Sequence, residues 1–167
     1  SPGGTSLYAK MDDKEYYNAQ WASSVINQSG IGSFDLPQLT KKLAGKTVRV
    51  SPYIGGRYEG FSGSSSPKDL ETMFQLIYLY FNDFAYREDA LKSFVNQQKG
   101  IYKNLMSNPN FFFSDFTSKI KYDNHPRAGF PDVSMFDLME LDKMVAIYKD
   151  RFEDASDFTF QFVGNFD

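Results

Sequence analysis

The chain has 167 residues, a formal net charge of -3, one histidine and no cysteine. That length suffices for one domain with a sizeable core. The charge balance and the lack of a basic stripe argue against a nucleic-acid binder, and zero cysteines exclude disulfides and thiolate metal sites. Aromatic content is high at 17%, with 17 Phe and 11 Tyr. Rings bury large areas, so this reads as an aromatic-rich core, with a Tyr-lined carbohydrate or peptide groove as the alternative.

Asp12 and Glu15 have capping-box spacing, so a helix starts near Asp13 and carries Tyr16, Ala19, Ala22 or Ser23, and Ile26 on one face. Ser29-Gly30-Ile31-Gly32 ends it. Asp35 caps a second, short helix with Pro37 in its first turn and Gly45 just past its end. Residues 47–54 read as a strand with Val48 and Val50 on one face. After a Gly55-Gly56 turn, residues 58–64 return as its antiparallel partner in a hairpin.

Ser66-Pro67-Lys68-Asp69 reads as a helix start, with Ser66 as N-cap and Asp69 favourable to the dipole. Leu70, Met73, Phe74, Ile77 and Phe81 form the predicted buried face. A longer helix spans about 88–107, with Leu91, Phe94, Val95, Gln98, Ile101, Tyr102 and Leu105 on one side, and Pro109 stops it. Residues 110–121 are predicted helical despite three consecutive Phe. Residues 124–131 are a loop. Ser134 with Asp137 starts a short helix, and residues 141–152 carry another.

In the tail, Phe158, Phe160 and Phe162 alternate with Thr159, Gln161 and Val163, which predicts a strand with one buried face. Gly164 and Asn165 close it as a turn. The run Leu76 to Phe81 is the longest apolar stretch, and six residues cannot cross a bilayer. Few strands with several helices between them give an α+β layer arrangement.

Several constellations have a plain structural reading. His125 lies in Asn-His-Pro-Arg and reads as a surface or loop-packing residue, with weak metal binding beside scattered carboxylates as the alternative. Gly60-Phe61-Ser62-Gly63-Ser64 lacks the final glycine of a nucleophile elbow. Asn27-Gln28-Ser29 matches a glycosylation sequon by pattern only. Asp150, Glu153, Asp154 and Asp157 lack the spacing of an EF-hand loop and read as a solvated helix end. Tyr78, Tyr80 and Phe81 could form an aromatic platform, but core is the better reading. Lys41, Lys42, Lys46 and Arg49 are too few for a nucleic-acid patch.

The tail Phe162-Val163-Gly164-Asn165-Phe166-Asp167 resembles the closing strand and turn of domains in the insulinase/pitrilysin zinc metallopeptidases. Other stretches follow that family's order. They are Ser1 to Leu7, Ser29-Gly30-Ile31-Gly32, Leu43-Ala44-Gly45-Lys46, Val48-x-Val50-x-Pro52, Gly60-Phe61-Ser62-Gly63, Lys68-Asp69-Leu70-Glu71, Asn124-His125-Pro126-Arg127 and Tyr148-Lys149-Asp150-Arg151-Phe152. The likeness covers nearly the whole chain and is nearest to the third of four related domains in the long, bacterial, PqqL-like members.

This resemblance implies a mostly antiparallel sheet with helices packed on one face, trimmed of its N-terminal strands. Residues 1–167 are then a single non-catalytic domain, a fragment of a larger protein. Its implied role is to help form the chamber of a zinc endopeptidase that degrades peptides. The family holds zinc with His-x-x-Glu-His on a helix and a distal Glu. The positions that the resemblance assigns to these groups are Trp21-Ala22-Ser23-Ser24-Val25 and Gln97 or Gln98, none of them a good zinc ligand. The expectation is therefore no catalytic, cofactor-binding or metal residue in this chain, which alone is inactive, and zinc in the catalytic domain of the parent protein. Expected partners are the other domains of that protease and peptide substrates through its chamber, with no nucleic acid and no membrane span. The implied location is periplasmic, or membrane-associated outside the cytoplasm. A stand-alone binding or assembly module with the same fold is the alternative.

Overall fold

The computed structural model describes residues 7–164. The expected turn at Ser1 to Ser6 and the final Asn165-Phe166-Asp167 lie outside them. Helix α1, Asp13–Gln28, is built as its sequence predicts. The Asp12 carboxylate accepts from the Glu15 N–H at 2.8 Å, and the Glu15 carboxylate accepts from the Asp12 N–H at 3.3 Å. Two otherwise orphaned donors are thereby satisfied. The same reciprocal box, Asp35 with Gln38, opens α2, Leu36–Lys42.

Strands β1, Val48–Ile54, and β2, Glu59–Ser65, form an antiparallel pair in the register Val48↔Ser65 to Ile54↔Glu59. Helices α3 (Leu70–Asn82), α4 (Glu88–Met106), α5 (Pro109–Lys121) and α6 (Leu141–Phe152) follow. The architecture is α+β, helix-rich, with a small two-stranded antiparallel sheet.

α1 is the central element. Ala19, Ala22, Val25 and Ile26 are all fully buried. α6 packs along it with Met144 and Tyr148, and β1 contributes Val50 and Ile54 to the same cluster. α3 closes the core over the hairpin with Met73, Leu76 and Tyr80. Each large side chain buried here contributes about 1.5–3 kcal/mol relative to exposure.

Three expectations are corrected. The tail, residues 158–163, is not a strand; it has no ladder partner. Its alternation serves side-chain docking instead. Phe158 lies 5.1 Å from Phe81 and 5.5 Å from Phe152 between ring centroids, and Phe162 meets Phe74 at 5.2 Å. Packing against rings on one side does not require a neighbouring backbone.

The start of α3 also differs. Ser66 makes no side-chain cap, and a 3-10 turn, Pro67–Asp69, precedes the α-helix. Asp69 is buried and turned towards the hairpin, accepting from the Thr47 N–H at 2.8 Å and the Ser66 hydroxyl at 2.7 Å. The buried face of α3 is accordingly rotated to Met73, Leu76 and Tyr80, while Phe74 and Tyr78 are exposed. Finally, the short helix near Ser134 is a 3-10 turn, Val133–Leu138, capped by Asp132 rather than Ser134. The Asp132 carboxylate accepts both the Ser134 N–H and its hydroxyl.

Candidate functional site

The place where the resemblance puts metal chemistry is the contact between α1 and α4. Ala22, Ser23 and Val25 are buried there, and Trp21 is half-buried. The Trp21 ring stands 5.4 Å from Phe94 of α4 and 6.4 Å from Phe136. Two turns further along α1, the Gln28 amide donates to the Gln97 side chain at 3.4 Å. The fold thus brings together the two segments that sequence reasoning paired, α1 and the middle of α4. It sets rings between them and an exposed pair of neutral amides at their margin, and both are poor zinc ligands. The Trp21 indole N–H is buried without a hydrogen-bond partner. Among the described residues no group of three His, Asp or Glu side chains converges to hold a metal ion.

His125 lies on the exposed loop between α5 and the Val133–Leu138 turn. Its Nδ1 accepts from the Arg127 N–H at 3.1 Å. Arg127 is the centre of a clasp. Its Nε donates to Asp13 Oδ1 at 3.1 Å, Nη1 to the Tyr8 carbonyl at 2.8 Å, and Nη2 to the Met11 carbonyl. The guanidinium also sits 4.5 Å from the Tyr16 ring centre, a cation–π geometry. The Tyr17 hydroxyl adds a bond to the Pro126 carbonyl at 3.0 Å. Asn124-His125-Pro126-Arg127 therefore ties the loop to the start of α1. The sequence offered no signal for this, because the partners lie more than 100 positions apart.

A second clasp holds the turn after α1. Ser29 is fully buried, and its hydroxyl donates to the Val25 carbonyl at 2.8 Å while accepting from the Arg87 N–H at 3.1 Å. Arg87 Nε returns a bond to the Ser29 carbonyl at 3.0 Å. Gly30 has φ +89, and a Cβ there would fall 2.0 Å from the Phe34 carbonyl oxygen, so only glycine fits. The Asn27-Gln28-Ser29 pattern is occupied in the same way: Asn27 accepts from the Tyr80 hydroxyl at 2.8 Å.

A further concavity lies elsewhere. A groove of about 1250 Å³ runs beside β2. It is bounded by Tyr53, Phe61, Met73 and Ile77, by the end of α6, and by residues 157–162. Asp150, Glu153, Asp154 and Asp157 line one side. The Asp154 carboxyl is held below the usual carboxylate range by hydrogen bonds from the Ser156 hydroxyl and N–H. These acids, which read from the sequence as a solvated helix end, line the groove together with residues of β2.

A helix-rich α+β layer with this hairpin is the fold found in domains of insulinase-like zinc proteases. The chain is homologous to a segment of a PqqL-type zinc protease: it is 22% identical over 153 residues to "Probable zinc protease PqqL" of Haemophilus influenzae. That alignment covers 92% of this chain and 16% of the relative. Among solved structures, the periplasmic protease PqqL of Escherichia coli superposes with a TM-score of 0.63 at 19% identity, over 85% of this chain and 16% of that one. A variant of the ferredoxin protease FusC, in complex with Arabidopsis ferredoxin, gives 0.62 at 17% identity, over 81% and 15%. The chain thus spans about one sixth of the length of the proteins it matches. No protein-family model matches it.

Proposed function

We propose that this chain is a single non-catalytic, chamber-forming domain of a larger zinc-dependent endopeptidase that degrades peptides. The observation that carries this reading is the homology to one sixth of a zinc protease, by a segment with a single histidine and no cysteine. A site of two His and one Glu needs more than this chain supplies, so zinc and hydrolysis reside in another domain of the parent. The Trp21–Phe94 contact and the Gln28–Gln97 pair between α1 and α4 support the same view, since rings and amides are poor zinc ligands. The neighbouring domains of the parent are its partners, reached in part through the Gly60 to Ser66 segment, and peptide substrates meet it within the chamber. The periplasm is its proposed location, in keeping with the E. coli protein of the same fold. No helix among the described residues is long and apolar enough to cross a membrane.

Zinc stoichiometry tests the proposal. The purified chain is loaded with zinc, dialysed and analysed for metal. Far less than one zinc per chain, together with no cleavage of unstructured peptides, is the expected result. One tightly held zinc per chain would overturn it. In a parent protein, deletion of the Gly60 to Ser66 segment is expected to lower stability and activity together.

A further inference from the structure

We propose that His125 is a proton-operated latch: neutral, it helps hold the loop after α5 against the start of α1, and protonation loosens that hold. His125 is the single histidine of the chain. Its Nδ1 accepts from the Arg127 N–H at 3.1 Å. A neutral imidazole with a bare Nδ1 can do this, whereas both ring nitrogens of the imidazolium are donors. Among side chains, imidazole is the one whose charge ordinarily changes between pH 5 and 8. The bond exists on the alkaline side of such a change and is lost on the acid side.

The place of the bond gives it leverage. The loop leaves α5 through two successive residues with positive φ, Asp123 at 53° and Asn124 at 56°. Left-handed backbone is disfavoured for residues with a Cβ, so the bonds that follow must hold it. The His125 carbonyl accepts from the Ala128 N–H at 2.8 Å, and the His125 ring holds the Arg127 N–H. Between them these bonds orient the Arg127 backbone. From there the guanidinium reaches Asp13 and the Tyr8 and Met11 carbonyls, while the Tyr17 hydroxyl donates to the Pro126 carbonyl. The ring therefore sits at the root of the contacts that tie the loop to α1.

Charge acts in the same direction. α5 contributes Lys119 and Lys121, the loop Asp123 and Arg127, α1 Asp13, and the following turn Asp132. Lys119 is paired with Asp115, Asp13 with Arg127, and Asp132 accepts from Ser134. Lys121 lies over the Tyr122 ring, and it and Asp123 are exposed and offset one another in charge. Among the described residues no carboxylate forms an ion pair with His125. A proton added to the ring thus gains no partner, and it adds a second cation two residues from the Arg127 guanidinium.

The test compares the chain with its His125→Asn and His125→Ala variants by nuclear magnetic resonance, at about pH 7.5 and about pH 5, the two ends of the imidazole window. An Asn side chain accepts from the N–H two residues on and carries no charge; Ala has no acceptor. The readouts are the protection of the Arg127 amide and of its Nε–H against hydrogen exchange, corrected for the intrinsic effect of pH. In the unaltered chain the protection of the amide should fall about fivefold at the lower pH, the size of one ordinary hydrogen bond, to the level of the Ala variant, and that of Nε–H should fall with it. The Asn variant should keep both at either pH. Unchanged protection in the unaltered chain at the lower pH would overturn the latch. An equal fall in the Asn variant would assign the loosening to the Asp13 carboxylate and overturn it too. So would an Ala variant as well protected at the higher pH as the unaltered chain.

Discussion

Asn18, fully buried on α1, accepts a hydrogen bond from the Glu140 N–H at 2.7 Å, across 122 positions of sequence. Its amide donates to the Leu138 carbonyl at 3.2 Å and to the Lys14 carbonyl at 2.9 Å. One side chain therefore satisfies the backbone just before α6 and fixes α6 against α1. Replacing Asn18 by Leu removes the partner of the Glu140 N–H and of the Leu138 carbonyl, both part-buried bonds, and an unmet partner costs about 1–3 kcal/mol. A loss of roughly 2–4 kcal/mol is expected, read as a lower urea midpoint. A loss below about 0.5 kcal/mol, the size of an ordinary surface change, would show the bonds to be dispensable.

Gly129 lies over the Asp115 carboxylate. Its φ is +70, and a Cβ there would stand 2.4 Å from Asp115 Oδ1. That oxygen is held by the Phe130 N–H at 2.7 Å, and the other oxygen is bound to Lys119 at 2.6 Å. The carboxylate cannot retreat without losing these bonds. Gly129→Ala is expected to cost about 1–3 kcal/mol from backbone strain, while Gly100→Ala should stabilise its helix by roughly 0.5–1 kcal/mol, because nothing lies within 4 Å of a Cβ at position 100. Thermal melts of the two variants provide the comparison.

Alkaline titration should destabilise the fold. Burial pushes the Tyr80 and Tyr102 hydroxyls up to about 12, and that of Tyr148 further, with Tyr80 adding to the shift. A raised value means that the native state keeps protons that the unfolded chain has released. The contribution is complete below the ordinary tyrosine value near 10 and is lost as pH climbs from there through 12. The melting temperature should fall over that window, with tyrosinate absorbance appearing in step with unfolding. Tyrosinate formation by these residues before unfolding would contradict their burial.

Asp69 gives the opposite sign. Hydrogen bonds from the Ser66 hydroxyl and the Thr47 N–H, in that order, hold its carboxyl below the usual range. The stabilisation is present above the ordinary carboxylate value and is lost as pH falls through the lowered native one. Asp69→Asn should therefore be less stable than the parent at neutral pH, and the gap should close on acidification. A gap independent of pH would assign the loss to packing.

The outer stripe of α5 should be tolerant. Phe112, Phe113, Phe116 and Ile120 fall at helical spacing on one face and are exposed, with Phe113 at 67%. The inner face is carried by Phe111 against Phe130 and by Asp115. The triple change of Phe112, Phe113 and Phe116 to Ser is expected to leave stability nearly unchanged while reducing self-association in light scattering, because exposed apolar patches promote contact.

Short-range chemistry sets the local elements. Capping boxes at Asp12 and Asp35, the Gly turns and the alternation in β1 act over a few residues, so α1, α2 and the hairpin are legible from short-range chemistry. The sequence also carries the kinship, in the order of many weak motifs. What those elements meet depends on long-range packing. The tail carries a strand's alternation, yet its rings are satisfied by Phe81, Phe152 and Phe74, and no backbone pairs with it. Asp69 looks like a helix-start residue, but the Thr47 N–H lies within its reach and wins it. The Arg127 clasp, the Asn18 bridge and the acids that line the groove with β2 join residues far apart in the chain. Such contacts depend on distance in space, which periodicity and capping do not encode.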